Sequence, residues 1–157
     1  MTTEENKVTD ERYVREVLNG NNLAAIDEIM APNYVSHIVG FPPSDREGDK
    51  QFIGMLRVAF PDLEYVVDAQ FAEGNQVLHR MTTHGTHQRE FMGIPPTFKK
   101  VVVQVVNINT FENGRVVEAW SMLDQLGLLQ QLGAIPAPQV TAGQVTAADA
   151  QSAARGY

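Results

Sequence analysis

The amino-acid sequence predicts an α+β fold, with helices in its first half and a mostly antiparallel sheet in its second. Two observations carry this. Apolar residues recur every three or four positions as far as Pro61, and from Leu63 onward they alternate with polar ones. The alternating runs are joined by Gly74-Asn75 and Asn113-Gly114, dipeptides suited to hairpin turns.

Each element follows in order. Thr9, ahead of Asp10-Glu11-Arg12, reads as the N-cap of a first helix, with Tyr13, Val14, Val17 and Leu18 at helical spacing up to Asn19-Gly20. Asn22 precedes a second helix carrying Leu23, Ala24, Ile26, Ile29 and Met30 until Pro32. Ser44 or Asp45 caps a third, which carries Phe52, Ile53, Met55, Leu56, Val58 and Ala59 and is closed by Phe60-Pro61. Leu63, Tyr65, Val67, Ala69 and Phe71 then form one strand, and Gly74-Asn75 turns the chain into a second starting at Val77. The β-branched run from Val101 to Thr110 returns through Asn113-Gly114 as Val116 to Trp120. Asp124 sits where an N-cap belongs, before Leu126, Leu128, Leu129 and Leu132, and Gly133 is a natural stop.

The turn of the second hairpin decides which side chains share a face, because a slip of one residue moves a whole strand's set to the other side. A two-residue type I′ turn at Asn113-Gly114 pairs Glu112 with Arg115 and puts Asn107 opposite Trp120. A three-residue turn with a left-handed glycine pairs Phe111 with Arg115 and puts Asn107 opposite Ala119, so that Asn107, Ala119 and Ser121 share a face. Asn-Gly serves both turns.

Composition narrows the function. With 157 residues, 43% hydrophobic and 20% charged, one compact domain is expected. The excess of 19 Asp and Glu over 12 Lys and Arg gives a net charge of -7, which repels phosphate backbones and argues against nucleic acid as a partner. Without cysteine there are no disulfides, thiolate nucleophiles or cysteine-ligated metals. The acidic N-terminus and the lack of a long apolar run lead to an expectation of a cytoplasmic protein without membrane contact. The domain is expected to span residues 1–133. The 24 residues from Ala134 to Tyr157 include 8 Ala, one Asp and one Arg, and are expected to form a mobile tail.

Several motifs resemble the SnoaL-like polyketide cyclases. They are Gly85-Thr86-His87 with Glu90 to Thr97 (Glu-Phe-Met-Gly-Ile-Pro-Pro-Thr), Asn113-Gly114-Arg115-Val116-Val117-Glu118-Ala119-Trp120, and the run from Asp124 to Gly133. Ala31 to His37 and Phe60-Pro61-Asp62-Leu63 add weaker matches in the same order. The resemblance implies an NTF2-like cone, a curved, mostly antiparallel sheet packed against N-terminal helices around an apolar pocket. It also implies ring closure of a polyketide without metal or organic cofactor, by an Asp that directly follows the motif Trp and acts as general acid and base. Here that residue is Ser121, the His often found before the Trp is Ala119, and Asn107 stands where relatives carry Asp or His. By the same likeness Asn107, Ala119 and Ser121 point into the pocket, which agrees with the three-residue turn. Phe98 replaces the glycine that usually follows the Thr, and Met81 stands where a Trp is common.

Four residues are therefore candidates for chemistry. Asn107 and Ser121 supply polarising hydrogen bonds, and His37 supplies an acid, a base or a donor near the pocket, or else a structural imidazole. Asp124 is the surviving carboxylate near the motif, although capping suffices to explain it. Tyr13, Tyr34, Phe91, Met92, Ala119, Trp120 and Met122 are candidate pocket residues, with Arg80 as an oxyanion binder. His79 and Arg80 face opposite ways, so only one of them reaches the pocket. His84 and His87 do the same, which speaks against a metal site.

The expected function is closure of a ring in a hydrophobic polyketide-type intermediate, with no cofactor. Holding two ends of one chain in a reactive pose supplies roughly 7 to 11 kcal/mol, which lets substrate folding replace a strong acid or base. Two alternatives use the same fold: an epoxide-opening hydrolase or isomerase, which needs two converging carboxylates, and a non-catalytic binding module. The stretch Val101 to Val106 is apolar on both faces except for Gln104, so the outer sheet face is expected to pack against another subunit in a dimer or tetramer.

Overall fold

The computed structural model describes residues 1–138. Residues from 139 onward, which hold most of the segment expected to be a mobile tail, lie outside the described residues.

Helix α1 (Thr3–Arg12) begins earlier than the sequence suggests. Thr2 is the N-cap: its hydroxyl accepts from Glu5 N at 3.1 Å, and Glu5 reaches back to Thr2 N at 2.6 Å, a complete capping box. Thr9 lies inside the helix, its hydroxyl donating to Glu5 O at 3.2 Å. The first two turns escape an apolar-period reading because the residues they bury are polar, Asn6 and Asp10. The helix then widens to π winding over Tyr13–Asn19, which puts Tyr13, Val14, Val17 and Leu18 together on the buried side.

The second helix is shorter than expected. A 3₁₀ turn (Leu23–Ala25) leads into α2 (Ile26–Ile29), and Met30 already starts strand β1 (Met30–Ile38). Pro32 therefore lies within a strand. It is tolerated there because β1 is the edge of the sheet and its pairing is irregular between Met30 and Val35. Toward the end of β1 Tyr34 and Ser36 are buried, while Val35 is exposed and His37 half-buried. Helix α3 (Arg46–Ala59) is capped by Asp45, whose Oδ1 accepts from Gly48 N at 3.0 Å.

Strands β2 (Glu64–Glu73) and β3 (Gln76–Thr86) form the first hairpin, and β4 (Lys100–Glu112) and β5 (Arg115–Leu123) the second. The sheet order is β1-β5-β4-β3-β2, with β1 parallel to β5 and every other pair antiparallel. A bulge at Asp68 interrupts β2, since Val67 pairs with Met81 and Ala69 with Arg80. It turns Gln70 and Ala72 toward the helices and leaves Phe71 67% exposed, although Phe71 continues the alternation begun at Tyr65.

The second hairpin uses the two-residue turn, with Glu112 opposite Arg115 and positive φ at Asn113 (51°) and Gly114 (77°), as a type I′ turn requires. The three-residue turn favoured by the resemblance is therefore absent. A bulge at Val117 supplies the missing shift: Phe111 pairs with Val116 but Thr110 with Glu118, so Asn107 comes opposite Ser121. Asn107, Ala119 and Ser121 thus share one face as expected, but by a different device and with Asn107 opposite Ser121 in place of Ala119. Asp124 caps α4 (Gln125–Leu132), accepting from Gly127 N at 2.9 Å, and Gly133 ends the helix at φ 78°.

The helices cover one face of the sheet in two apolar clusters. One joins the π-wound turns and α2 to the sheet centre through Val17, Ile26, Ile29, Val77, Met81 and Val116. The other joins the end of α3 to α4 and the start of β4 through Phe60, Phe91, Val101, Val103, Leu128 and Leu132. Among the described residues no helix is long and apolar enough to cross a membrane.

Phe98, the residue that departs from the glycine of the resemblance, has a backbone φ of 58° and a side chain 71% exposed. A Cβ is unfavourable in this left-handed region, and little burial offsets it. Phe98→Gly is expected to stabilise the fold by about 1 kcal/mol, read from the urea midpoint. Loss of stability would contradict the assignment.

Candidate active site

The two clusters meet around a cavity of about 110 Å³ between α3, the π-wound turns and the inner face of the sheet. Its lining is chiefly apolar, with Ile53, Leu56, Phe60, Met81, Val103 and Leu128 among its walls. The polar groups fall in two sets.

The first set lies on the sheet and begins at a carboxylate behind the cavity wall. Asp10, fully buried, accepts from His79 Nδ1 at 2.7 Å, from Gln70 Nε2 at 3.0 Å and from Asn109 Nδ2 at 2.7 Å. A carboxylate offers only acceptors, so Asn109 must turn its NH₂ toward Asp10 and its carbonyl away. That carbonyl takes the amide N–H of Asn107 at 3.4 Å, and the Asn107 carbonyl in turn accepts from the Ser121 hydroxyl at 2.9 Å. The direction of every bond is thereby fixed. Ser121 spends its proton on Asn107 and presents lone pairs to the cavity, while Asn107 keeps one N–H free to donate.

The second set comes from β1 and α3. Tyr34 Oη donates to Asp49 Oδ2 at 2.6 Å, with Ser36 beside them. Asp49 lines the cavity and is 5% exposed, and its Oδ1 is buried without a protein partner. Burial pushes the Asp49 carboxyl above its ordinary value, opposed by the hydroxyls of Tyr34 and Ser36. Burial also raises the Tyr34 phenol, helped by the neighbouring Asp49 charge, so Tyr34 stays a donor. Tyr13 and Tyr65 line the cavity too, and burial pushes Tyr65 up to about 12.

Of the residues expected from the sequence, Asn107, Ser121, Ala119, Tyr13 and Tyr34 line the cavity. Others do not. His37 is on the outer face, stacked on Trp120 with ring centroids 4.1 Å apart and bonded to Glu118 at 3.1 Å. Trp120 and Met122 alternate with Ala119, Ser121 and Leu123 along β5, so they face outward and are half exposed or more. Arg80 also faces out, 3.7 Å from Asp68, because its neighbour His79 takes the inner position. Met92 sits at the apex of a tight turn with φ 48° and is exposed, and the adjacent Phe91 packs edge-on against Phe60 without lining the cavity. Asp124 is an exposed helix cap.

Sequence reasoning missed Asp49 and Asp10. Asp49 occupies the apolar stripe of α3, four residues before Ile53 and three before Phe52, and that misplaced charge was the available signal. Asp10 carried none, since it read as part of a polar first turn.

The family model for SnoaL-like polyketide cyclases matches residues 9–132. No curated protein matches the chain. Among solved structures, the chain is similar to AclR, a "putative hydroxylase" from Streptomyces galilaeus, at 30% identity and a TM-score of 0.78, over 86% of this chain and 100% of that one. It is similar to a "putative SnoaL-like polyketide cyclase" from Jannaschia sp. CCS1 at 26% identity and a TM-score of 0.79, over 85% and 95%. IdmH, a "putative polyketide cyclase" from Streptomyces antibioticus, shares 31% identity at a TM-score of 0.73, over 82% and 98%. With its helix-covered, curved five-stranded sheet and a family match over most of its length, the chain belongs to the SnoaL-like polyketide cyclases of the NTF2-like fold.

Proposed function

We propose that the protein closes a ring in a hydrophobic polyketide-type intermediate inside the cavity. One observation carries the reading: an apolar chamber holds a donor and an acceptor side by side in fixed directions, at Asn107 and Ser121. A flexible chain folded into this space loses its conformational freedom on binding rather than at the reacting step. The free N–H of Asn107 stabilises charge that develops on a carbonyl oxygen as the new bond forms, and the Ser121 lone pairs hold a substrate hydroxyl or enol. His37 and Asp124 take no part, because one lies outside the sheet and the other caps α4.

Epoxide opening needs a second carboxylate converging on the substrate. Among the described residues Asp49 is the single carboxylate that lines the cavity, and this favours ring closure.

The outer sheet face supports association of subunits. Trp120 is 49%, Met122 60% and Val102 47% exposed, and Ile108 and Val106 pair with Trp120 and Met122 across the strands. A second copy covers this apolar face, forming a dimer or tetramer.

Two outcomes are expected. Incubation with a linear hydrophobic poly-β-keto thioester gives a cyclised product by mass spectrometry and NMR, and the folded double variant Asn107→Leu/Ser121→Ala forms it about 100-fold more slowly; undiminished closure by that variant would contradict the reading. In sedimentation, the protein exceeds monomer mass at micromolar concentration and Trp120→Glu/Met122→Lys reduces it to monomer. A wild-type monomer would remove the association.

A further inference from the structure

Among the described residues the cavity holds one carboxyl group, which hydrogen-bond polarisation leaves unused. Asp49 stands in the first turns of α3, so its backbone is held by the Asp45 cap and by the helix. Tyr34, from the edge strand, fixes one oxygen of the carboxyl at 2.6 Å. The other oxygen, Oδ1, is buried with no protein partner in a side chain that lines the cavity. A buried polar atom left without a partner costs stability, and such an atom, in a side chain that lines an apolar chamber, is suited to a proton on a molecule bound there.

We propose that Asp49 is the proton-transferring catalytic residue of this cavity, with Tyr34 as its positioning residue, and that the substrate is a carbon acid. This rests on the ring-closing reading for its place in the reaction, and deepens it by naming the substrate class. A carboxylate is a weak base, so the carbon it deprotonates carries a C–H bond acidified by neighbouring carbonyls, as in a 1,3-dicarbonyl unit. Asp49 Oδ1 takes the proton and the C–H pair becomes the enolate π bond. The enolate oxygen receives the charge and accepts from the free Asn107 N–H. The enolate carbon then bonds to a second carbonyl carbon of the same chain, that carbonyl's π pair moves onto its oxygen, and protonated Asp49 returns its proton to the alkoxide so formed. No oxidant, metal or second substrate enters the balance.

The Tyr34 contact tunes this group. Its hydroxyl opposes the upward push of burial on Asp49, so removing it lifts the ionisation further. The base form then appears at higher pH.

The test uses 5-nitrobenzisoxazole, a small apolar bicyclic carbon acid. A base takes its C3 proton, the electron pair forms the nitrile, and the N–O bond breaks to release a coloured cyanonitrophenolate. Wild-type protein is expected to accelerate this, with a rate that rises with pH through a midpoint above the ordinary carboxylate range. Asp49→Asn, checked for folding by its melting curve, is expected to lower the rate about 100-fold or more. Tyr34→Phe keeps the carboxylate, and is expected to remain active with its midpoint moved to higher pH. Equal rates for wild type and Asp49→Asn, or a midpoint unmoved in Tyr34→Phe, would overturn the assignment. The readout is independent of the natural substrate. Failure to cyclise a polyketide would remove the ring-closing reading and leave this result standing, whereas failure here would remove Asp49 and leave ring closure to Asn107 and Ser121.

Discussion

The buried carboxylate of Asp10 is the constraint on which the sheet side of the cavity depends. It lies in a polar helical turn against the middle of the sheet and ties α1 to three strands, through Gln70 on β2, His79 on β3 and Asn109 on β4. Burying a charge is costly unless it is well paired, and here three donors meet two oxygens. Because Asp10 can only accept, it orients Asn109, Asn109 orients Asn107, and Asn107 orients Ser121. An amide pair that elsewhere is free to flip is thus given one direction across the inner face.

Two extra residues in the strands put those side chains there. Without the bulge at Val117, the two-residue turn would leave Asn107 opposite Trp120, and Glu118, Trp120 and Met122 would face the cavity in place of Ala119, Ser121 and Leu123. Without the bulge at Asp68, Phe71 would point inward and Gln70 away from Asp10. Each bulge keeps the hairpin's turn chemistry and corrects the register further along. The outer face gains Trp120 and Met122 by the same shift, so the cavity and the apolar outer surface arise from one irregularity.

Much of this was legible in the sequence, and the exceptions have physical causes. Helix α3, both hairpins and the Asp124-capped α4 were readable because caps, turns and periodicity agree at those places. The start of α1 was hidden because its buried residues, Asn6 and Asp10, are polar. Strand β1 was hidden behind a helical spacing that ends in Pro32, a residue that suits an edge strand as well as a helix end. The bulges left no local trace: Val117 sits in a β-branched run that reads as an uninterrupted strand. At the site, Asn107 and Ser121 came from the resemblance, which located their face correctly. Asp49 lies at apolar-stripe spacing before Phe52 and Ile53, but an acidic residue near a helix N-terminus also has a sufficient explanation in the helix dipole, and the packing decides between the two.

The resulting chamber has a sheet wall with fixed donors and acceptors and, from the helix side, one carboxyl held by a phenol. Among the described residues that carboxyl alone stands in the cavity as a carboxylic acid, and burial raises its ionisation above the ordinary value, so the account turns on its state in the resting protein. The most direct measurement is a carbon-13 NMR titration of the Asp49 carboxyl, assigned by its loss in Asp49→Asn. The account predicts a midpoint above the ordinary carboxylate range. A midpoint within or below that range would contradict it.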